Sequence, residues 1–196
     1  MRDVVVVENL SLDGVMQAPG RPDEDERGGF GYGGWASDIL SREPDAVRAS
    51  MGEPGGTAQM LFGRRTYLDV VGHWLSTPEP NPFTDILRNA TKYVASRTLT
   101  DPLPYPNSVR LEGDAVEAVR ALKAEGDEDL IVLGSGDLVR QLAAAGLVDE
   151  YRLTVLPVVL GAGTRLFGHT HTELECLSAQ AFPSGIFVSR FRVSGR

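Results

Sequence analysis

The chain has 196 residues, 42% of them hydrophobic, which is enough for one sizeable core and is the size of a single domain spanning 1–196. Nineteen Lys and Arg against 27 Asp and Glu leave a net charge of −8, which opposes general attraction to nucleic acid or anionic lipid, so any anion must be bound locally. The one cysteine, Cys176, excludes an internal disulfide and a zinc-cysteine cluster and fits a reducing, cytoplasmic setting; no run is long enough for a signal peptide or a membrane span.

Val4-Val5-Val6-Val7 is β-branched and continuous, the pattern of a central strand buried on both faces, and Ser11-Leu12-Asp13-Gly14 supplies the turn after it. Ala18 to Gly34 is rich in Gly, Pro and acid, which predicts a long loop too polar for the core: either a functional lid or a disordered surface insertion. Trp35 to Ala49 reads as helical, with Pro44 stopping a first helix near Glu43, and a turn follows at Glu53-Pro54-Gly55-Gly56. Gln59 to Phe62 is the next strand, feeding a helix over Thr66 to Val71; Pro78 to Pro82 reads as a surface loop and Lys92 to Ser96 as a third strand.

Asp114 at an N-cap, Glu117 three residues on, Val116, Val119 and Leu122 on one face, and Gly126 beyond the end predict a helix over 114–126. Leu130 to Leu133 is a strand, followed by a helix from Asp137 to Ala145 closed by Gly146. This alternation argues for a mostly parallel sheet with helices on both faces. Tyr151 to Leu160, Glu173 to Phe182 and Ile186 to Val193 are strand-like with no helix between the last two, which adds an antiparallel C-terminal hairpin.

Two strand-to-helix junctions carry chemistry. Gly63-Arg64-Arg65-Thr66 puts two guanidinium groups beside the unsatisfied N–H groups of a helix start, a site for phosphate, and an adjacent arginine can select the 2′-phosphate of NADP over NAD. A solvated turn with surface arginines is the other reading. Gly134-Ser135-Gly136-Asp137-Leu138 offers close backbone approach to a pyrophosphate, but it lacks the third glycine of G-x-G-x-x-G, and Asp137 at the N-cap would occupy helix N–H groups and repel phosphate. Asp13 follows a buried strand. Asp38, one helical turn after Trp35, could share a dry pocket with the indole and relay a proton; an exposed helix acid is the alternative. His169 and His171 find no third ligand in the sequence, so no metal is expected, and neither G-x-S-x-G nor a Walker A sequence occurs.

In this order, Ser11-Leu12-Asp13-Gly14-Val15, Leu61 to Tyr67, Tyr93 to Leu99, Leu133 to Leu138 and Val148 to Gly163 resemble the dihydrofolate reductase-like superfamily, specifically the family of the riboflavin-biosynthesis reductase C-terminal domain. The resemblance implies an α/β three-layer sandwich that binds NADPH and reduces a small heterocycle by hydride transfer, either pterin-like or 5-amino-6-(ribosylamino)uracil-5-phosphate-like. With no deaminase domain before it, the reductase step alone is implied. Gly63 to Thr66 would hold cofactor phosphates, with Arg64 and Arg65 near the 2′-phosphate. Ser96, Arg97 and Thr98 would lie along the adenosine, and Gly134, Ser135, Gly136, Asp137 and Leu138 would cradle the pyrophosphate. Asp13, Gly14 and Val15 would border the nicotinamide, the segment up to Trp35 would be the lid, and Asp38 would stand roughly where true dihydrofolate reductases carry a proton-assisting carboxylate. A homodimer is the family default. A nucleotide-binding or regulatory protein without turnover and a plain dimerisation module are the competing readings.

Overall fold

The computed structural model describes residues 2–51, 59–78, 82–168 and 171–195. Eight strands are hydrogen-bonded in the order β4-β3-β2-β5-β1-β6-β8-β7. They are β1 (Val4–Ser11), β2 (Gln59–Gly63), β3 (Lys92–Ala95), β4 (Ser108–Leu111), β5 (Leu130–Leu133), β6 (Glu150–Leu156), β7 (Leu174–Ala181) and β8 (Phe187–Val193). The sheet is mostly parallel with an antiparallel C-terminal hairpin, as the alternating pattern predicts. Contacts gather into two compact units, Met1–Val5 with Gly55–Val148 and Val6–Pro54 with Asp149–Arg196.

In the first unit β2 pairs in parallel with β3 and β5, and β3 with β4. The helical segment after β2 starts at Arg64 and runs as α3 (Arg64–Thr66), a π-helical turn (Tyr67–Val71) and α4 (Gly72–Ser76). Its core gathers Met60, Phe62, Tyr67, Val71, Leu87, Ala90 and Val94. Tyr67 is fully buried; its hydroxyl donates to Ser108 Oγ at 2.9 Å, accepts from Tyr105 N–H at 3.2 Å, and its ring meets Tyr105 edge-on at 5.2 Å. A Cβ at Gly72 would collide with the Tyr105 hydroxyl, so the close pass of that ring requires glycine there.

Two elements depart from the sequence reading. Pro82 opens a helix, α5 (Pro82–Asn89), instead of continuing a loop, because proline suits a first helical position whose N–H has no partner anyway. The four residues of β4 carry too little apolar alternation to be recognised, yet they pair with β3 from Lys92↔Ser108 to Ala95↔Leu111. The predicted turn at 53–56 lies outside the described residues.

Lys92 shows how this unit closes α5. Its fully buried ammonium donates to the carbonyls of Leu87 at 2.6 Å and Ala90 at 2.7 Å, groups a helix end leaves unsatisfied. Burial disfavours the charge and lowers its pKa from 10.5 to about 8. Between those values the unfolded chain holds a proton that the folded chain does not, so stability should rise as pH increases from about 8 to 10.5. Lys92→Met is expected to lose that rise; urea melts of both proteins at pH 8 and pH 10 check it, and equal slopes would exclude the effect.

The predicted helix over 114–126 is α6 (Ala115–Ala124), with Asp114 Oδ1 accepting from the N–H groups of Val116 and Glu117. Glu117 pairs instead with Arg120 at 3.6 Å. After β5 comes α7 (Gly136–Ala144), ended by Gly146 at φ 67°.

In the second unit β8 pairs antiparallel with both β6 and β7. Pro44 separates α1 (Ser37–Ser41) from α2 (Pro44–Met51), as its missing N–H predicts. Ala36, Ala46, Leu156, Ile186 and Val188 form one core cluster. Glu150 is buried between the side chains of Arg190 and Arg152, at 2.8 and 2.7 Å. Burial opposes its charge, but the two arginines outweigh that and hold its pKa below the ordinary carboxylate value.

Candidate functional site

Parallel pairing of Leu61 with Val132 brings the turns after β2 and β5 to the same sheet edge of the first unit. There Gly63 N–H donates to Ser135 Oγ at 2.9 Å, and Ser135 N–H donates to Thr66 Oγ1 at 3.0 Å. Gly134 and Ser135 both adopt left-handed backbone, φ 56° and 59°, which makes the turn sharp. A Cβ on Gly134 would come within 2.8 Å of Thr66 Cγ2, so glycine is required on steric grounds as well. Gly63 is different: it is extended, and a Cβ there would touch Ser135 at an ordinary 3.7 Å.

Ser135 occupies the N-cap of α7 and Gly63 that of α3, and neither helix start receives a side-chain cap. The first N–H groups of both helices therefore stay open to an anion. This corrects the expectation that Asp137 caps the helix: Asp137 stands in the first turn, exposed, and its carboxylate pairs with Arg140 one turn on. Leu138 is buried, so only its backbone can face a ligand.

Ser96 Oγ accepts from the N–H groups of Thr98 and Leu99, at 3.2 and 2.9 Å, closing a turn that leaves Arg97 and Thr98 exposed at its tip. Since Gly63 is in register with Ala95, Arg64, Arg65 and Arg97 all follow the ends of adjacent strands. Among the described residues these three exposed arginines make no ion pair and no side-chain hydrogen bond, whereas Arg48, Arg88, Arg110 and Arg165 are paired with Asp45, Asp85, Asp101 and Asp13. Three such guanidinium groups at one edge of a chain with net charge −8 have the chemistry to hold an anion locally.

The second unit holds Asp13, Gly14, Val15, Trp35 and Asp38, and here the side chains differ from expectation. Asp13 Oδ1 accepts from Ser11 Oγ at 2.7 Å and Leu160 N–H at 3.0 Å; Oδ2 accepts from Gly161 N–H at 3.0 Å and faces Arg165 at 3.2 Å. The Leu160 N–H and Ser11 hydroxyl, chiefly, hold its pKa down to about 2. Both oxygens are thus engaged in tying the β1 turn to residues 160–165, so the carboxylate does not stand ready for substrate. Gly14, at φ 79° with open space for 4 Å around the point where a Cβ would stand, is free for close approach, while the Val15 side chain is buried against Phe30.

Trp35 donates its indole N–H to the Gln17 carbonyl at 2.8 Å and packs on the Val15, Ala18 and Phe30 cluster. Asp38 lies exposed on α1. Of the two readings for this acid, the exposed one holds and the dry pocket is not formed, because α1 begins only at Ser37 and the indole is turned onto the loop.

The 18–34 segment is also more ordered than its composition suggests. Gly34 N–H bonds the Ala18 carbonyl at 2.8 Å, closing the loop at its neck, and Gln17 Nε2 holds the carbonyls of Asp25 and Arg27 at 3.1 and 2.9 Å. Phe30 is buried, so the segment contributes to the core after all. Residues 27–32 and 162–164 with Gln17 line a cleft of about 330 Å³. Sequence reading missed Gln17 and Phe30 as organisers of this cleft. His169 lies outside the described residues, and among those described no three His, Cys, Asp or Glu are grouped to hold a metal. No described helix is long and apolar enough to cross a membrane.

The fold is shared with solved structures. A Shewanella sp. PV-4 protein assigned to riboflavin biosynthesis superposes with TM-score 0.64 at 19% identity over 100% of both chains. A pyrimidine reductase-like protein of Corynebacterium diphtheriae gives 0.59 at 15% identity over 100% of this chain and 93% of that one. Enterococcus faecalis dihydrofolate reductase, solved with NADP(H) and RAB-propyl, gives 0.59 at 13% over 98% and 97%. In sequence, the uncharacterized protein YyaP of Bacillus subtilis (strain 168) is 30% identical over 134 residues, 65% of this chain and 69% of YyaP. The family model of the RibD C-terminal domain matches residues 2–188, and with the clasped β2 and β5 turns and this sheet order, the chain belongs to the RibD C-terminal domain family.

Proposed function

We propose that the protein is an NADPH-dependent reductase that transfers hydride to a small heterocycle, pterin-like or aminouracil-like. The observation that carries this reading is the set of Arg64, Arg65 and Arg97, unmatched among the described residues, beside two helix starts that no described side chain caps and that Ser135 and Thr66 clasp. Guanidinium groups with no internal partner suit a terminal phosphate, and open N–H groups suit a diphosphate. A reduced nicotinamide bound there supplies hydride from its C4 carbon. Gly134 lets the backbone approach the diphosphate, and the Ser135 and Thr66 bonds fix both turns beforehand, which lowers the cost of binding.

Calorimetry on the purified protein tests the reading. NADPH is expected to bind with clear preference over NADH, and no heat with NADPH at millimolar excess would refute it. A non-catalytic nucleotide-binding protein is favoured by the exposure of Asp38; NADPH binding without NADPH oxidation across aminouracils and dihydropterins would support that instead. The homodimer is a further proposal, to be checked by sedimentation.

A further inference from the structure

Every residue that lines the cleft of about 330 Å³ belongs to the second unit, and one buried side chain holds both of its walls. Gln17, 5% exposed, donates from Nε2 to the carbonyls of Asp25 and Arg27 on one side, while its Oε1 accepts from the N–H and hydroxyl of Thr164 on the other, at 2.9 and 3.0 Å. An amide has four bonding positions and all are used here, so the walls are joined before any ligand arrives. The volume suits a small organic molecule, since such sites begin at about 300 Å³.

The lining suits a flat ring. Phe30 is buried against Val15, and its ring meets that of Tyr32 edge-on at 5.8 Å; Tyr32 is 55% exposed and offers an aromatic face. A Cβ on Gly163 would stand 2.7 Å from Phe30 Cε2, so the aromatic side of the cleft seats on bare backbone. Gly31 is different: its backbone is not left-handed and a Cβ there would meet nothing within 4 Å, so packing does not require glycine, and its lack of a side chain leaves the cleft open. Among the described residues the N–H groups of Gly31, Tyr32 and Gly163 make no hydrogen bond, which leaves donors for carbonyl groups on a ring edge.

The charges argue against a phosphate. Residues 21–27 carry four acids and two arginines. Arg27 pairs with Asp25, Arg21 faces Asp23 at 3.6 Å, and Arg165, next to Thr164, is tied to Asp13 at 3.2 Å. An anion here would meet a net negative loop whose guanidinium groups are already engaged, the reverse of Arg64, Arg65 and Arg97 in the first unit.

We infer that this cleft binds a neutral, planar heterocycle that carries no phosphate, with Tyr32 as its aromatic contact and backbone N–H groups as its polar ones. The role of that ring as hydride acceptor rests on the reductase reading above, and it favours a pterin-like substrate over a phosphate-bearing aminouracil. Binding in the cleft is a separate matter, since all the lining residues lie in one unit.

Titration of the ¹⁵N-labelled protein without NADPH tests the site, using 7,8-dihydropterin, 5-aminouracil and 5-amino-6-(ribosylamino)uracil-5-phosphate. A neutral ring is expected to shift the amide signals of residues 27–32 and 162–164, and the phosphate-bearing compound to bind no tighter than 5-aminouracil. Tyr32→Ala should weaken the neutral ring about three- to tenfold and leave NADPH binding unchanged. No shift at these amides with either neutral ring, or wild-type affinity in Tyr32→Ala, overturns the site. Binding of the phosphate compound about tenfold tighter than 5-aminouracil, equal to 1.4 kcal/mol, overturns the phosphate-free class. These outcomes are read without NADPH, so a failure here leaves the nucleotide site standing, whereas calorimetry that shows no NADPH binding removes the reductase role and leaves the ring site.

Discussion

Replacing both Arg64 and Arg65 by alanine is expected to weaken NADPH binding by about 100- to 10,000-fold while leaving NADH nearly unchanged. A hydrogen bond to a charged group is worth about 1.5–3 kcal/mol, two are lost, and each 1.4 kcal/mol is tenfold in affinity. NADH lacks the 2′-phosphate, so it has nothing to lose at these side chains. Both arginines are exposed and carry no internal partner among the described residues, so their removal should leave the melting temperature where it was. Calorimetry with both nucleotides reads the result directly; equal weakening of NADPH and NADH would show that the pair does not recognise the 2′-phosphate. Arg97→Ala should add a smaller loss, since its side chain follows the neighbouring strand β3.

The second large effect concerns stability. Tyr67→Ala should destabilise the protein by about 3–5 kcal/mol, as large aromatic truncations in a core do, because the ring lies between Phe62 and Tyr105 and is wholly buried. Tyr67→Phe keeps the ring but strips a bond to Ser108 Oγ and one from Tyr105 N–H, and should cost about 1–3 kcal/mol by leaving those groups unmatched. Chemical denaturation of the two variants separates packing from hydrogen bonding. A loss under about 1 kcal/mol for Tyr67→Ala would contradict the core described here. Tyr67 also stands directly after α3, so Tyr67→Ala should weaken NADPH binding even where the protein remains folded.

What was legible in the sequence is what local physics controls. The valine run of β1, the Asp114 cap of α6, the Gly146 end of α7, the break at Pro44 and the antiparallel ending all follow from side-chain period, capping and backbone freedom within a few residues. The two strand-to-helix turns were recognisable as turns for the same reason: glycine, arginine and a helix start are neighbours in sequence. α5 was missed because prolines read as loop, and β4 because four residues with only Leu111 buried carry almost no periodic signal.

Only the tertiary structure decided which polar groups remain available. Ser135 meets Thr66 across 69 residues, and Asp13 meets Leu160 across 147, so no local pattern foretells that the first pair clasps two turns while the second consumes a carboxylate. Asp38, read as either a dry-pocket acid or an exposed helix acid, stands in water, whereas Glu8 is buried without a bond to its Oε1 among the described residues. Desolvation and hydrogen-bond competition set the chemistry of each acid, and both depend on how distant segments pack together, which composition and spacing do not contain.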